Sequence, residues 1–110
     1  MSQPVSELVI EDDVVGSGTV CPAGAIVRVH YRGTLMDGTE FDSSYKRGQP
    51  IEFPLSNLIK GWQEGIPGMK VGGKRKLTIP YQMGYGVHGS PPTIPPKSDL
   101  IFEIELLGVR

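Results

Sequence analysis

Two segments of this chain alternate between apolar and polar side chains, and a period of two leaves few folds open to it. In segment 25–36 the odd positions are mostly apolar and the even positions mostly polar: Val27, Val29, Tyr31 and Leu35 against Arg28, His30 and Arg32. In segment 99–107 an apolar set alternates with acids: Leu100, Phe102, Ile104 and Leu106 against Asp99, Glu103 and Glu105. Successive side chains of a strand point to opposite faces of a sheet. Both segments are therefore predicted to be strands with one buried face.

Further strands, and the turns between them, follow from shorter signals. The Asp37-Gly38 pair separates two runs of strand formers, and glycine tolerates the positive φ that a tight hairpin needs. Segment 51–55 alternates again, with Pro54 on the opposite parity, which indicates a strand at a sheet edge. Segments 8–10 and 74–79 predict two more strands. Fifteen glycines and ten prolines in 110 residues fit many tight turns between short strands.

One short helix is predicted between the strands. Its apolar side would be formed by four residues: Leu58, Ile59, Trp62 and Ile66. Ser56 is expected to cap its start, and Pro67-Gly68 to end it. Gly61 and Gly65 each cost about 1 kcal/mol relative to alanine inside a helix, so packing against other elements has to hold it. The chain is therefore predicted to be a single α+β domain, with a mostly antiparallel sheet and the helix against one of its faces.

Several classes of function find no support in the sequence. The net charge of −1 does not favour nucleic acid or an anionic membrane as a partner, and Lys74-Arg75-Lys76 is interpreted as a solvated strand edge. Cys21 is the only cysteine, which excludes an internal disulfide and a cysteine-rich metal site. His30 and His88 form no metal-ligand pattern, and neither a phosphate-binding loop nor a nucleophile elbow occurs. We therefore expect no metal and no cofactor.

The sequence also bears on the compartment. A single thiol fits a reducing environment. The first four residues show no charged and apolar leader pattern, and no apolar run approaches the roughly 20 residues of a membrane helix. We expect a cytoplasmic protein.

An excess of aromatic side chains beside polar turns is the remaining signal. Trp62 lies on the predicted helix, and the others come from strands and from the long connection 81–97: Tyr31, Phe41, Phe53, Tyr85 and Phe102. These residues could form only the core, which is the simpler interpretation of the pattern. Asp42, directly after Phe41, favours an aromatic-lined pocket, because a carboxylate beside aromatic surface needs a hydrogen-bond partner. The proline-rich connection is predicted to be a shaped, functional loop.

A series of short motifs occurs in a fixed order along the chain. These are Val29-His30-Tyr31-Arg32-Gly33, Asp37-Gly38-Thr39-Glu40-Phe41-Asp42-Ser43-Ser44, Ile59-Lys60-Gly61-Trp62-Gln63-Glu64-Gly65, Met69-Lys70-Val71-Gly72-Gly73, Tyr85-Gly86, Ile94-Pro95-Pro96 and Leu100-Ile101-Phe102-Glu103-Ile104-Glu105-Leu106-Leu107. In this order and spacing, over residues 16–108, the chain resembles the FKBP-type peptidyl-prolyl cis-trans isomerases. The resemblance implies an isomerase domain over residues 16–110, preceded by an N-terminal strand or extension over residues 1–15.

The resemblance further implies a five- to six-stranded antiparallel sheet wrapped around one short helix, with the active pocket between them. Six residues would be catalytic: Tyr31, Phe41, Asp42, Trp62, Tyr85 and Phe102. Four would bind substrate or macrolide: Phe53, Leu58, Ile59 and Ile94. In this scheme Trp62 is the floor and the Ile59 amide donates to a bound carbonyl. Asp42 orients the hydroxyl of Tyr31, and Ile94 caps the mouth from the long loop.

Three positions depart from the commoner pattern of that family. Ile51 stands where many members carry an aromatic residue, and Ser90 where some have histidine. Pro92-Thr93 replaces a more usual Gly-Ile pair. These departures put the shape of the rim and the sequence preference in doubt, while the reaction class is unaffected.

The implied function is rotation about X-Pro bonds of protein substrates, as in protein folding, with macrolides such as rapamycin binding in the same pocket. The expected partners are proline-containing peptides and proteins and macrolide ligands, with no nucleic acid and no membrane, and we expect a monomer. Two alternatives stay open. One is a module that binds proline peptides or macrolides without turnover. The other is a structural β-domain whose aromatic residues are only core.

Overall fold

The computed structural model describes residues 7–110 of the chain. Within this range there are six strands: β1 Val9–Val14, β2 Ile26–Leu35, β3 Glu40–Ser43, β4 Ile51–Pro54, β5 Lys74–Ile79 and β6 Leu100–Val109. Two α-helices, α1 Ser44–Arg47 and α2 Lys60–Gly65, and two 3-10 turns, Leu55–Asn57 and Tyr81–Met83, complete the regular structure. The interpretation of the first four residues, and part of the predicted N-terminal extension, lies outside the described residues.

All six strands join in one antiparallel sheet, in the order β1-β5-β6-β2-β3, with β4 also paired to β2. The ten-residue strand β2 shares one edge between two short strands. β3 pairs with its second half, and β4 pairs with its first half. Pro54 ends β4, which has β2 as its neighbour, as predicted for an edge strand. The α+β class and the antiparallel sheet are thus confirmed.

The apolar parity of the long strands forms the core. Along β6 the even positions are buried and the acids between them are not, and the same alternation places Val27, Val29 and Tyr31 of β2 inside. Leu77 and Ile79 of β5 continue this inner face, and α2 packs across it. The period-two pattern of the sequence therefore corresponds directly to the two faces of the sheet.

Two glycines allow α2 to lie unusually close to β5. A Cβ atom on Gly61 would lie 2.6 Å from Ile79 Cδ1, and one on Gly65 would lie 2.7 Å from Leu77 Cδ1. Carbon atoms in favourable contact are about 3.5–4.0 Å apart, so no larger residue fits without a shift. The two glycines lower the helix propensity of α2, and the close packing that they allow compensates for this loss. The same packing fixes the position of the neighbouring Trp62.

The start of this helix differs from the prediction. α2 begins at Lys60 with Ile59 as its N-cap, and no side chain caps it. Ser56 lies in the 3-10 turn, and Leu58 is extended, with φ −103° and ψ 170°. The predicted cap at Ser56 is therefore wrong, because an extended residue separates the turn from the helix. As a result, Leu58 and Ile59 precede α2 instead of belonging to it.

The sequence pattern does not predict α1. The Ser43 side chain caps its start by accepting a hydrogen bond from the Lys46 amide, and Gly48, with φ 76°, ends it. A helix of four residues is too short to show an apolar period of 3.6. Its consequence for the site is that it carries Arg47 back towards Asp42 of β3.

The basic run 74–76 lies in an interior strand, so its interpretation as a strand edge is wrong. β5 lies between β1 and β6. Arg75 Nε donates to Asp12 Oδ1 at 2.6 Å, and Arg75 Nη1 donates to the carbonyl of Gly65 at 2.9 Å. Lys74 and Lys76 remain exposed on the outer face. Arg75 therefore ties β1 to the end of α2, an arrangement set by long-range pairing that local sequence does not reveal.

Candidate functional site

A cavity of about 210 Å³ opens between the inner face of the sheet and α2. Eight residues line it: Tyr31, Asp42, Phe53, Leu58, Ile59, Trp62, Tyr85 and Phe102. They come from four strands, from α2 and the residues before it, and from the connection 81–97. All eight were predicted as site residues from the sequence. The fold thus gathers in one place residues that are spread over more than half of the chain.

The floor of the cavity is the indole of Trp62, which is 4% exposed. Three rings stand nearly perpendicular to it, at centroid distances of 5.2 Å for Phe102, 5.3 Å for Tyr31 and 5.8 Å for Phe53. Edge-to-face packing of this kind is the favoured arrangement of aromatic pairs. The result is a concave, mainly apolar surface with an indole at its base and aromatic rings as its walls.

Two of the predicted site residues lie outside this lining. Phe41 packs edge to face on Phe102, with ring centroids 5.4 Å apart, so that it supports the wall from behind. Gly33 gives these two rings room, because a Cβ there would lie 2.7 Å from Phe41 Cζ and 2.8 Å from Phe102 Cε1. Ile94 is buried at 4% exposure. The structure therefore places Ile94 in the core, whereas the prediction made it a cap over the mouth.

Polar contacts at one wall form a closed ring of hydrogen bonds. The Tyr31 hydroxyl donates to Asp42 Oδ2 at 2.6 Å, as predicted, and Arg47 Nη1 donates to Asp42 Oδ1 at 2.8 Å. Arg47 Nη2 donates to the Tyr31 hydroxyl at 2.8 Å. Burial, together with the bond to Asp42, raises the pKa of Tyr31 to about 12, so the hydroxyl keeps its proton at neutral pH. Sequence analysis missed Arg47, because its position depends on the unpredicted helix α1.

Two donors at the cavity have no acceptor among residues 7–110. Tyr85 and Ile59 both line the cavity. The Tyr85 hydroxyl is bonded to none of the residues 7–110, and the Ile59 amide precedes the first hydrogen-bonded turn of α2. Burial and the nearby charge of Asp42 raise the pKa of Tyr85, so its hydroxyl is a proton donor at neutral pH. The Tyr85 hydroxyl and the Ile59 amide are therefore the candidate hydrogen-bond donors for a ligand at this site.

The connection 81–97 is held in a defined shape. Ser90 and Ile94 exchange two backbone hydrogen bonds, and the amides of Gly86 and Lys97 bond to the carbonyls of Tyr81 and Gly86. Asp99 Oδ1 accepts from the Tyr81 amide at 2.9 Å, which anchors the start of the loop to its end. This network presents Tyr85 at the cavity.

A larger cavity of about 620 Å³ lies on the outer side of the sheet. Most of its lining residues are charged and belong to β1, β5 and β6. Opposite charges face each other across the strands, with Lys76 between Glu11 and Glu103. Such a surface is solvated, its opposite charges compensate one another, and Tyr45 and Ile104 are its only uncharged lining residues. The smaller aromatic cavity is therefore the candidate site.

Comparison with known proteins agrees with this geometry. The family model of the FKBP-type peptidyl-prolyl cis-trans isomerases matches residues 18–107. The chain belongs to this family. An FK506-binding protein of Neisseria meningitidis serogroup B is 55% identical to it over 104 residues, which cover 93% of this chain and 95% of that protein.

Two further relatives extend the match in sequence and in structure. The peptidyl-prolyl cis-trans isomerase FPR2 of Saccharomyces cerevisiae is 53% identical over 90 residues, which cover 79% of this chain and 67% of that protein. The crystal structure of AtFKBP13 superposes with a TM-score of 0.86 at 41% identity, covering 94% of this chain and 93% of that one. This FKBP is an enzyme that catalyses rotation about X-Pro bonds.

The three positions that were predicted to depart from the commoner family pattern all lie outside the cavity lining. Ile51 begins β4, opposite Val29. Ser90 closes the turn that contains Pro92-Thr93 by pairing with Ile94. Their effect on the rim and on substrate preference remains a prediction from the sequence.

Residues 7–110 contain neither a cluster of metal ligands nor a membrane-spanning helix. No group of three or more His, Cys, Asp or Glu side chains among them could hold a metal ion. None of the helices in this range is long and apolar enough to cross a membrane.

Proposed function

We propose that the aromatic cavity is the site at which this isomerase turns the X-Pro bond, and that macrolides such as rapamycin bind in the same place. A single observation carries the proposal. The indole of Trp62 lies at the base of an open cavity, with three rings around it and two hydrogen-bond donors free for a ligand. Phe41 contributes through its contact with Phe102. The substrates would be proline-containing peptides and proteins, bound by a monomer.

The reaction needs no reactive side chain. Resonance gives the peptide bond a rotational barrier of about 18–20 kcal/mol, and X-Pro bonds exchange between cis and trans over roughly 10–100 s without a catalyst. The planar amide is dipolar and well solvated, whereas the twisted amide has lost its resonance and much of that dipole. Transfer from water into a dry cavity therefore raises the free energy of the planar state more than that of the twisted state. Lowering the barrier by about 5.5 kcal/mol accelerates rotation roughly ten-thousandfold.

The polar groups would complete this effect by orientation. The Ile59 amide and the Tyr85 hydroxyl can hold the carbonyls that flank the proline while the bond between them turns. Asp42 has no part as a base, because its oxygens already accept hydrogen bonds from Tyr31 and Arg47. No proton has to move between enzyme and substrate in this reaction.

Titration with rapamycin tests whether macrolides share this cavity. Trp62 is the only tryptophan in the chain, so its fluorescence reports directly on the floor. We expect a saturable change in emission whose midpoint equals the concentration that half-inhibits isomerisation of a short X-Pro peptide in a protease-coupled assay. Isomerisation without any response to rapamycin would remove the macrolide part of the proposal. Binding without turnover would instead support the non-catalytic module.

The variant Tyr85→Phe tests the proposed hydrogen bond at the mouth. It keeps the ring and removes only the hydroxyl, so we expect kcat/KM to fall about tenfold, the equivalent of one net hydrogen bond of about 1.4 kcal/mol. Tyr81→Phe is a matched control, since Tyr81 belongs to the same loop and does not line the cavity. Equal activity of the two variants would show that the Tyr85 hydroxyl does not contact the substrate.

A further inference from the structure

Arg47 lies beside the proposed site without lining it. Its guanidinium donates to Asp42 Oδ1 and to the Tyr31 hydroxyl, both at 2.8 Å, and its Cζ lies 5.8 Å from the centre of the Tyr31 ring. Asp42 and Tyr31 both line the cavity, and Arg47 does not. One cation thus bonds to both polar members of the same wall.

The numbers of donors and acceptors in this ring determine where each hydrogen lies. A tyrosine hydroxyl has one hydrogen to donate, and that of Tyr31 is directed at Asp42 Oδ2. The hydroxyl oxygen in turn accepts from Arg47. Tyr31 therefore has no hydrogen left for a substrate, and the two carboxylate oxygens of Asp42 each have a partner within the protein.

We propose that Arg47 is a positioning residue for this isomerase: it neutralises Asp42 and holds the carboxylate and the Tyr31 hydroxyl against the wall, which keeps the cavity apolar. The inference rests on the proposed assignment of the cavity as the catalytic site. Without Arg47, the carboxylate is an unpaired charge beside an apolar surface, and it rotates towards water or towards the cavity. A charge inside the cavity favours the dipolar planar amide over the twisted one. The loss is therefore expected in kcat.

A purely structural role predicts a different result. Arg47 and Asp42 are partly exposed, with 47% and 38% of their side chains accessible, and exposed ion pairs contribute little to stability. The helix that carries Arg47 is also capped independently, by Ser43 and Gly48. Removal of the guanidinium should therefore leave the fold in place while it changes the chemistry of the wall.

The test compares Arg47→Met with Arg32→Met in the full chain. Arg32 makes an ion pair of the same length, 2.8 Å, to Glu40, with 42% of its side chain exposed, and it does not line the cavity. We expect Arg47→Met to lower kcat about tenfold, with KM within twofold of the parent. Arg32→Met should change neither. Arg47→Lys should recover part of the loss, because lysine supplies the charge without the planar fork that bonds to two partners.

A double-mutant cycle shows whether Arg47 acts through Asp42. In an Asp42→Asn background the charge is already absent, so Arg47→Met should lower kcat less than twofold further. Equal fold losses in the two backgrounds, or full kcat in Arg47→Met, would overturn the inference. If Phe102→Ala and Asp42→Asn both keep full activity, the site assignment itself fails. If those variants lose activity and Arg47→Met does not, only the role of Arg47 is rejected.

Discussion

The substitution Phe102→Ala is expected to lower kcat/KM for an X-Pro peptide by about 100-fold in the protein that remains folded, which is about 2.7 kcal/mol of transition-state stabilisation. Phe102 forms the wall that packs on the indole of Trp62 at 5.2 Å and is supported from behind by Phe41. Without its ring the cavity widens and admits water, so the planar amide is no longer disfavoured. The protease-coupled assay measures this loss directly.

A loss of activity has to be separated from a loss of folding. Removal of a buried phenylalanine ring costs about 3–5 kcal/mol, a large part of the stability of a small domain. Leu106→Ala is the matched control, because Leu106 lies on the same face of β6, is fully buried and does not line the cavity. It should destabilise the fold to a similar degree while each folded molecule remains active. Phe102→Leu provides a milder second variant, and full turnover by a folded Phe102 variant would reject the proposed site.

The second large effect is expected from Gly61→Ala, which should destabilise the protein by about 1–3 kcal/mol. Alanine normally stabilises a helix by about 1 kcal/mol relative to glycine, so the sign of the effect is itself diagnostic. The reversal is expected because the new Cβ would lie 2.6 Å from Ile79 Cδ1. The helix must then move away from β5 and carry Trp62 into the cavity. Urea unfolding measures the change in stability. The isomerase activity of the folded fraction shows whether the displaced Trp62 impairs turnover.

Compensation at the contact provides the control for this prediction. Ile79→Ala removes the atoms that the new methyl group meets, so the double variant with Gly61→Ala should be more stable than the sum of the two single effects implies. Glu64→Ala lies on the exposed side of the same helix and should have little effect on either readout. Strict additivity of the Gly61 and Ile79 substitutions would contradict the proposed close approach.

Local sequence was sufficient for the features whose cause is local. The alternation in β2 and β6 follows from side chains pointing to opposite faces, and the hairpin at Asp37-Gly38 follows from the positive φ of Gly38, which is 93°. The eight lining residues were predicted only because the chain resembles a known family. Composition and periodicity alone left a pocket and a plain core as alternatives for the same rings.

The features that sequence missed depend on contacts between distant segments. The interior position of β5 results from its pairing with both β1 and β6, and nothing within 74–79 indicates two neighbours. Ser56 looks like a helix cap, but the extended conformation of Leu58 delays the helix until Lys60. Arg47 meets Asp42 through a four-residue helix without apolar periodicity. In each case tertiary packing decides between local options that the sequence leaves open.

Because α2 lies so close to β5, substitutions are tolerated in one part of the enzyme and not in another. At Gly61 and Gly65 any added atom meets the side chain of Ile79 or Leu77, so the level of the indole is set by this contact and stays the same only while both of its sides are kept. The exposed turn at Ser90 and Thr93 is under no such constraint. Substitutions can therefore accumulate in that turn while the base of the cavity keeps its geometry.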